Sequence, residues 1–159
     1  MKTLVVFYSL EGDTKFLADI IAAELESDVL ELKPEKEIPK EGFKKFFWGG
    51  KSVLFKEKPK LQNEIPNLED YDTIFIGTPI WASSYTPPIA TFVSVASIHN
   101  KKLAFFACHA GGGALKCFSK LQELLSDNTV IGTIDFSDPL KDDKEKVKSA
   151  IKRWLHEIT

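Results

Sequence analysis

The chain has 159 residues, of which 43% are hydrophobic and 28% are charged, so a single folded domain covering residues 1–159 is expected. A formal net charge of −2 gives no basic surface for nucleic acid. No apolar run approaches the ~20 residues of a membrane span, and no signal peptide is visible. The two cysteines, Cys108 and Cys117, have no metal-ligand spacing, which favours free thiols, a cytoplasmic location and no metal site.

Apolar runs typical of strands alternate along the chain with segments of helical periodicity. Such alternation indicates an α/β fold with a mostly parallel sheet covered on both faces, and the nearly all-apolar strands agree with burial on both sides. Five strands favour the order 2-1-3-4-5 over the six-stranded dinucleotide-binding form. We therefore predict a three-layer, doubly wound, five-stranded parallel sheet. The predicted strands are 3–8, 29–32, 73–77, 102–107 and 129–134, and the predicted helices are 14–26, 88–97, 112–126 and 141–157.

The helical periodicity also predicts which side chains face the sheet. For the helix at 112–126 the inward residues are Leu115, Phe118, Leu121, Leu124 and Leu125. For the last helix they are Val147, Ile151, Trp154, Leu155 and Ile158.

Residues 35–60 stand where a further helix would be expected and combine many lysines and glutamates with aromatic side chains. So many aromatic rings need cover, so we expect a folded, partly exposed insertion rather than a disordered one. The insertion is either a surface helix along one sheet edge or a lid over a binding site. The aromatic residues are Phe43, Phe46, Phe47, Trp48 and Phe55.

Three loops follow predicted strands and differ sharply in character. One is rich in hydroxyl groups, one is aromatic, and one is nearly all glycine; they cover 9–14, 78–88 and 108–113. In an open parallel sheet, ligands bind in the crevice beyond the carboxyl ends of the strands. We therefore expect polar groups for a phosphate and aromatic surface for a flat ring to meet at one sheet edge.

The first loop joins a strand to a helix start, where outward-pointing amides and the helix dipole favour an anion. Ser9 and Thr14 add hydroxyl groups, and Gly12 allows close approach of the backbone. The loop contains no lysine and matches neither GxxxxGK nor GxGxxG, which favours a single small phosphate held by neutral donors. The alternative is a simple helix start with Asp13 as its N-cap. Glu11 and Asp13 carry negative charge and must point elsewhere for an anion to bind.

The second loop carries two aromatic residues, Trp81 and Tyr85, between Pro79 at one end and Pro87 and Pro88 at the other. A stiff loop presents rings at little entropic cost, and such rings stack well on a flat heterocycle. The alternative is that one or both rings pack into the core. The position at the end of a strand favours ligand contact.

The third loop begins with Cys108 and continues into glycines, which invites comparison with a cysteine phosphatase. That chemistry needs a reactive thiolate and an arginine about six residues on. Position 114 is Ala114, and the single arginine of the chain is Arg153. The glycines at 111–113 are better explained as amide donors and space for a ring edge, and His109 either binds the ligand or faces solvent.

A phosphoacceptor signalling domain shares the predicted strand order but requires an acceptor aspartate at the end of the third strand. Here that strand ends in Gly77, Thr78 and Pro79. The phosphoacceptor interpretation therefore fails at its central residue.

Taken together, the three loops resemble those of flavodoxins. The resemblance of the sequence to that family covers nearly the whole chain. The run at 9–14 is similar to the family's phosphate loop, and the run at 78–81 is similar to the strand-end turn whose aromatic residue flanks the flavin ring. The resemblance implies FMN as the cofactor. By position it implies these FMN-binding residues: Ser9, Leu10, Glu11, Gly12, Asp13, Thr14, Thr78, Pro79, Ile80, Trp81, Ala82, Tyr85, Cys108, His109, Ala110, Gly111, Gly112 and Gly113.

The function that this resemblance implies is electron transfer between a reductase and an acceptor enzyme, with those redox proteins as partners and the protein as a monomer or weak dimer. No side chain is identified as catalytic, because the flavin would carry the chemistry. Two alternatives remain open. One is an NAD(P)H-dependent quinone or metal-chelate reductase, and the other is a module that kept the fold without FMN.

Overall fold

The structure, a computed structural model, describes residues 2–37 and 58–159, and within them the predicted alternation is present. The helices are α1 (Asp13–Leu25), α2 (Pro87–Val95), α3 (Ala114–Leu124) and α4 (Lys144–Ile158), with short 3-10 turns at Leu68–Asp70 and Pro139–Lys141. The strands are β1 (Thr3–Phe7), β2 (Asp28–Glu31), β3 (Thr73–Pro79), β4 (Lys102–His109) and β5 (Thr129–Ser137).

The five strands form one sheet in the order β2-β1-β3-β4-β5, and every neighbouring pair is parallel. The predicted fold class is therefore confirmed. The chain moves outward from β1 in both directions, to β2 on one side and to β3 on the other. Such a switch point leaves a crevice beyond the carboxyl ends of the central strands.

Helices cover both faces of the sheet, because successive strand residues point to opposite sides. On one face Ile89 and Phe92 of α2 and Leu121 of α3 are fully buried against the sheet. On the other face Leu17 of α1 and Ile151 of α4 are fully buried. The two cores hold the strand ends, and hence the loops that follow them, in a fixed arrangement.

The predicted inward face of α3 is partly wrong. Leu115 is 88% exposed and Leu124 is 53% exposed, whereas Phe118 and Leu121 are buried as predicted. At about 100° per residue, Leu115 lies beside the buried stripe, about 100° from its centre, and Ala114 and Cys117 take the core positions instead. Leu124 is the last residue of the helix and lines an open groove.

The inward face of α4 matches the prediction. Its buried residues are Val147, Ile151, Trp154 and Leu155, with Ile158 half-buried.

The predictions for the insertion concern mainly residues 38–57, which lie outside the described part of the chain. The described residues on either side of it pair in an antiparallel bridge between Pro34 and Leu61. The amide of Glu35 donates to the carbonyl of Lys60 at 2.8 Å, so the two flanks run side by side next to the sheet.

None of the helices within residues 2–37 and 58–159 contains an apolar stretch of the length that a lipid bilayer requires. The same residues contain no group of three or more side chains placed to hold a metal ion. Both cysteines are free thiols.

Candidate functional site

The loops after β1, β3 and β4 converge, as predicted, on one cleft of about 470 Å³ at the carboxyl edge of the sheet. This volume lies within the usual range for a small-molecule site. A fourth segment, the connection between β5 and α4, closes the cleft. The lining residues are Ser9, Leu10, Glu11, Asp13, Thr14, Pro79, Ile80, Trp81, Cys108, His109, Ala110, Asp138 and Lys141.

The first loop leaves two amides at the start of α1 without a partner among residues 2–37 and 58–159. The Oγ atom of Ser9 accepts hydrogen bonds from the amides of Gly12 at 3.1 Å and Lys15 at 3.2 Å. Among the described residues, the amides of Asp13 and Thr14 have no acceptor. The first amides of a helix have no partner within the helix, and they form a ready site for an anion.

The helix start differs from the simple cap considered as an alternative. The N-cap is Gly12, which adopts a φ of 100°, and Asp13 is the first helical residue. A left-handed backbone suits glycine, which has no Cβ to clash. The alternative with Asp13 as N-cap is therefore excluded, and Ser9 supplies the capping oxygen.

The carboxylate of Asp13 instead ties two loops together. Its Oδ1 accepts a hydrogen bond from the amide of Leu140 at 3.2 Å, across 127 residues of sequence. The Leu140 side chain also approaches Gly12, where an added Cβ would lie 3.6 Å from Cδ1. The 3-10 turn Pro139–Lys141 is thereby held against the start of α1, and one oxygen of Asp13 is turned toward that turn.

The floor of the cleft contains a buried contact between Thr14 Oγ1 and Cys108 Sγ, which lie 2.9 Å apart. Burial raises the pKa of the Cys108 thiol to about 12, and the nearby carboxylates of Asp13, Asp138 and Glu11 push it in the same direction. The thiol is protonated at neutral pH, so no thiolate nucleophile is present here. The rejection of phosphatase chemistry agrees with this environment.

Loop two presents Trp81, half-buried, at the cleft. Its ring stands edge-on to Tyr8 with centroids 6.1 Å apart and planes at 86°. The backbone of Trp81 pairs with that of Ser84 through two hydrogen bonds, at 3.1 and 3.0 Å. The two residues between them, Ala82 and Ser83, have φ angles of 49° and 58°. Both are left-handed, a conformation that suits a tight hairpin turn but costs energy for residues other than glycine.

Several predicted contact residues lie outside the cleft lining. The hydroxyl of Thr78 is buried; it donates to the carbonyl of Pro79 at 2.7 Å and accepts from the amide of Thr86 at 3.1 Å. It therefore shapes loop two from below. Tyr85 lines a separate groove of about 820 Å³ beside α2 and α3. The other predicted residues that do not line the cleft are Gly12, Ala82, Gly111, Gly112 and Gly113.

Loop three is organised by His109, whose side chain is 12% exposed. Its Nδ1 accepts a hydrogen bond from the amide of Gly112 at 3.0 Å, which assigns the ring proton to Nε2. That Nε2 lies 2.8 Å from Oδ2 of Asp135 on β5 and donates to it. Both ring nitrogens therefore have protein partners, and the imidazole holds the loop against the end of β5.

Loops two and three pack closely at Gly113, whose φ is 93°. A Cβ there would lie 3.0 Å from the Cα and the Oγ of Ser83. A glycine is therefore required for both the backbone conformation and the close approach.

Sequence reasoning missed the fourth wall, formed by Asp138 and Lys141. The amide of Asp138 donates to the carbonyl of His109 at 2.9 Å, which fastens this connection to loop three. The predicted strand order could have indicated this wall, because the segment after β5 leaves the sheet at the same edge as the other three loops.

The sheet order and the loop cleft together define a flavodoxin-like α/β protein. A family model described as flavodoxin matches residues 2–158, and the chain therefore belongs to the flavodoxin family. No curated protein sequence matches the chain significantly.

Solved structures agree with this assignment. A flavoprotein of Lactobacillus acidophilus in complex with FMN is 25% identical, with a TM-score of 0.77, over 97% of this chain and 98% of that one. A Bacteroides uniformis protein is 24% identical, with a TM-score of 0.79, over 95% and 97% of the two chains. An oxidised flavodoxin of Bacillus cereus is 18% identical, with a TM-score of 0.59, over 99% of each chain. The last two show the fold alone.

Proposed function

We propose that this protein binds FMN in the loop cleft and carries electrons between a reductase and an acceptor enzyme. Membership of the flavodoxin family and the FMN held by the Lactobacillus acidophilus relative support the cofactor. The single observation that carries the proposal is that the amides of Asp13 and Thr14, which have no acceptor in the described part of the chain, lie at the same cleft as the Trp81 ring. A phosphate and a flat ring are the two halves of FMN.

The described residues fit the cofactor in two ways. The amides of Asp13 and Thr14 hold the phosphate, and Ser9 fixes their direction by accepting from Gly12 and Lys15. Trp81 offers an aromatic surface to the ring. When bound, FMN supplies one- and two-electron transfer, and the protein sets its orientation and electrostatic surroundings.

The negative charge around the cleft favours a cofactor that gives up electrons readily. The carboxylates of Glu11, Asp13 and Asp138 all line it. Negative charge at the phosphate end of the cleft disfavours the addition of electrons to a bound flavin, by an amount that falls with distance, and so lowers its reduction potential. A low potential suits a donor to other proteins.

The two side chains that would be the first choices for a nucleophile or a base are both otherwise occupied. The Cys108 thiol is protonated at neutral pH because burial raises its pKa to about 12. Both ring nitrogens of His109 are hydrogen-bonded within the protein. Hydride transfer from NAD(P)H to a flavin needs neither group, so the NAD(P)H-dependent reductase stays open as the alternative to the electron carrier.

The test begins with the visible spectrum of the purified protein, stripped of any flavin and then titrated with FMN. We expect a shifted flavin absorbance and quenched flavin fluorescence, because the ring stacks against Trp81. A protein that leaves both signals unchanged would overturn FMN binding and select the FMN-free module.

A second measurement separates the carrier from the reductase. NAD(P)H is added to the FMN complex without oxygen, first alone and then with a catalytic amount of a separate flavoprotein reductase. A carrier keeps its oxidised spectrum until the reductase is present. Direct bleaching by NAD(P)H alone would instead identify the NAD(P)H-dependent enzyme.

A further inference from the structure

The end of the cleft beside α1 is crowded with negative charge. Glu11, Asp13 and Asp138 line the cleft, and all three act electrostatically on the Cys108 thiol at its floor. A phosphate monoester carries about −1.5 to −2 charge near neutral pH. Two amide donors must therefore hold a strongly charged anion close to carboxylates of the same sign, which costs free energy unless a cation offsets the repulsion.

Lys141 is the single lysine or arginine among the described residues that line the cleft. It ends the 3-10 turn Pro139–Lys141, and its own amide donates to the carbonyl of Asp138 at 2.9 Å. The preceding residue, Leu140, is bound to the Asp13 carboxylate at 3.2 Å. The backbone of Lys141 is thus fixed next to the unpartnered amides at the start of α1.

The ammonium group of Lys141 is also available. In the described part of the chain it forms no ion pair, whereas nearby lysines do. Lys15 pairs with Asp19 at 2.8 Å, and Lys146 pairs with Asp142 at 3.6 Å. A lysine on a long, flexible stem can turn toward an anion that arrives in the cleft, and it binds phosphate as a point charge.

We propose that Lys141 binds the phosphate of the flavin and makes the cleft selective for the phosphorylated ligand over riboflavin. This inference rests on the proposed function. The anion site then has two parts: the rigid amides of Asp13 and Thr14, and a mobile cation from a segment more than a hundred residues away. Of these two parts, the sequence of the first loop contains only the amides.

The experiment compares FMN with riboflavin, which has the same ring and no phosphate, in the wild type and in Lys141→Gln. Dissociation constants are measured by quenching of flavin fluorescence at low and at high salt. We expect Lys141→Gln to weaken FMN about five- to tenfold at low salt, which lies between the usual effect of an exposed ion pair and that of a hydrogen bond to a charged group. Riboflavin affinity should not change, and the salt dependence of FMN binding should fall.

The matched control is Lys144→Gln, which removes the same charge three residues later. Lys144 begins α4 and does not line the cleft. It should leave both affinities as in the wild type. Lys141→Arg, which keeps the charge, should bind FMN more tightly than Lys141→Gln. Because Lys141 is exposed, thermal melts of the flavin-free variants should match that of the wild type.

The possible results distinguish a failure of the role of Lys141 from a failure of the proposed function. Unchanged FMN affinity in Lys141→Gln, with a wild type that binds FMN, would overturn the role of Lys141 and leave the proposed function standing. Equal losses for FMN and riboflavin would also overturn it, because they would indicate a structural role. A wild type that binds neither flavin would overturn both the function and the inference.

Discussion

The two edges of the sheet differ in whether their polar groups have partners among the described residues. At the amino edge, Tyr71 Oη donates to Asp28 Oδ2 at 2.6 Å, and Lys2 Nζ lies 3.1 Å from the same carboxylate and 4.6 Å from the centre of the Tyr71 ring. At the carboxyl edge, the amides of Asp13 and Thr14 have no described partner. The amino edge satisfies its own charges, and the carboxyl edge keeps donors available for a ligand.

The backbone does not show this contrast. Left-handed residues other than glycine occur at both edges, at Ala82 and Ser83 in loop two and at Ser97 and Asn100 before β4. The difference between the two edges therefore lies in the partners of their polar groups. The comparison indicates that changes at the amino edge should affect stability alone, while changes at the carboxyl edge should affect FMN binding as well.

The largest effect on stability is expected inside the sheet, between its two edges. Gly77 lies in β3, and an added Cβ would stand 2.2 Å from two carbons of the Phe106 ring. Neither the strand backbone nor a buried ring can move far, so Gly77→Ala should lower the free energy of unfolding by about 3 kcal/mol. Urea denaturation of the flavin-free protein measures this.

Gly111→Ala is the control for that substitution, because no atom of the described residues lies within 4 Å of a Cβ built there. We expect a change within about 0.5 kcal/mol, as for most surface substitutions. Similar losses in the two variants would show that the close approach to Phe106 does not limit position 77.

The next effect lies at the carboxyl edge. Gly113→Ala forces a side chain onto a residue with a φ of 93° and places its Cβ 3.0 Å from the backbone of Ser83. We expect a loss of about 1–3 kcal/mol in stability, together with weaker FMN binding because loops two and three must separate. Urea denaturation and FMN titration give the two quantities. Full retention of FMN affinity would mean that the spacing of these loops does not matter to the ligand.

Trp81→Ala should lower the affinity for FMN more than it lowers the free energy of unfolding. The ring is half-buried and contacts Tyr8 only edge-on. Loss of aromatic contact with the flavin should weaken FMN by about tenfold, the equivalent of roughly 1.4 kcal/mol. Fluorescence titration of FMN provides the measurement.

Tyr85→Ala is the matched aromatic variant, since Tyr85 lines the other groove. It should bind FMN as the wild type does. A loss in Tyr85→Ala as large as that in Trp81→Ala would instead support the sequence-based prediction that both rings flank the flavin.

The smallest effect belongs to the amino edge and depends on pH. The hydrogen bond from Tyr71, followed by that from Lys2, lowers the pKa of the Asp28 carboxyl. A lowered pKa stabilises the fold at any pH above the ordinary value of the carboxyl, and that contribution is lost as pH falls through the folded-state pKa. Tyr71→Phe should therefore lower the melting temperature slightly at neutral pH, and the difference from wild type should shrink in acid.

FMN affinity should be identical in Tyr71→Phe and wild type, because the cluster lies at the opposite edge of the sheet from the cleft. Weaker FMN binding in this variant would contradict the separation of the two edges.

The alternation of strands and helices, their approximate bounds and the strand order were predictable from the sequence. Burial on two faces imposes runs of apolar residues on the strands and a periodicity near 3.6 on the helices, and both are local patterns. The meeting of three loops at one edge followed from the parallel order. Leu115 shows the limit, since a leucine at nearly the right spacing proved to be exposed.

Tertiary structure alone decided which polar groups in those loops are free. Asp13 bonds to Leu140 across 127 residues, Thr14 contacts Cys108 across 94, and His109 reaches Asp135 across 26. Such partners depend on how strand ends and loops pack, and no short-range pattern in the chain records them. For the same reason the sequence pointed to a phosphate loop, while the packing of the segment after β5 brought Lys141 to its side.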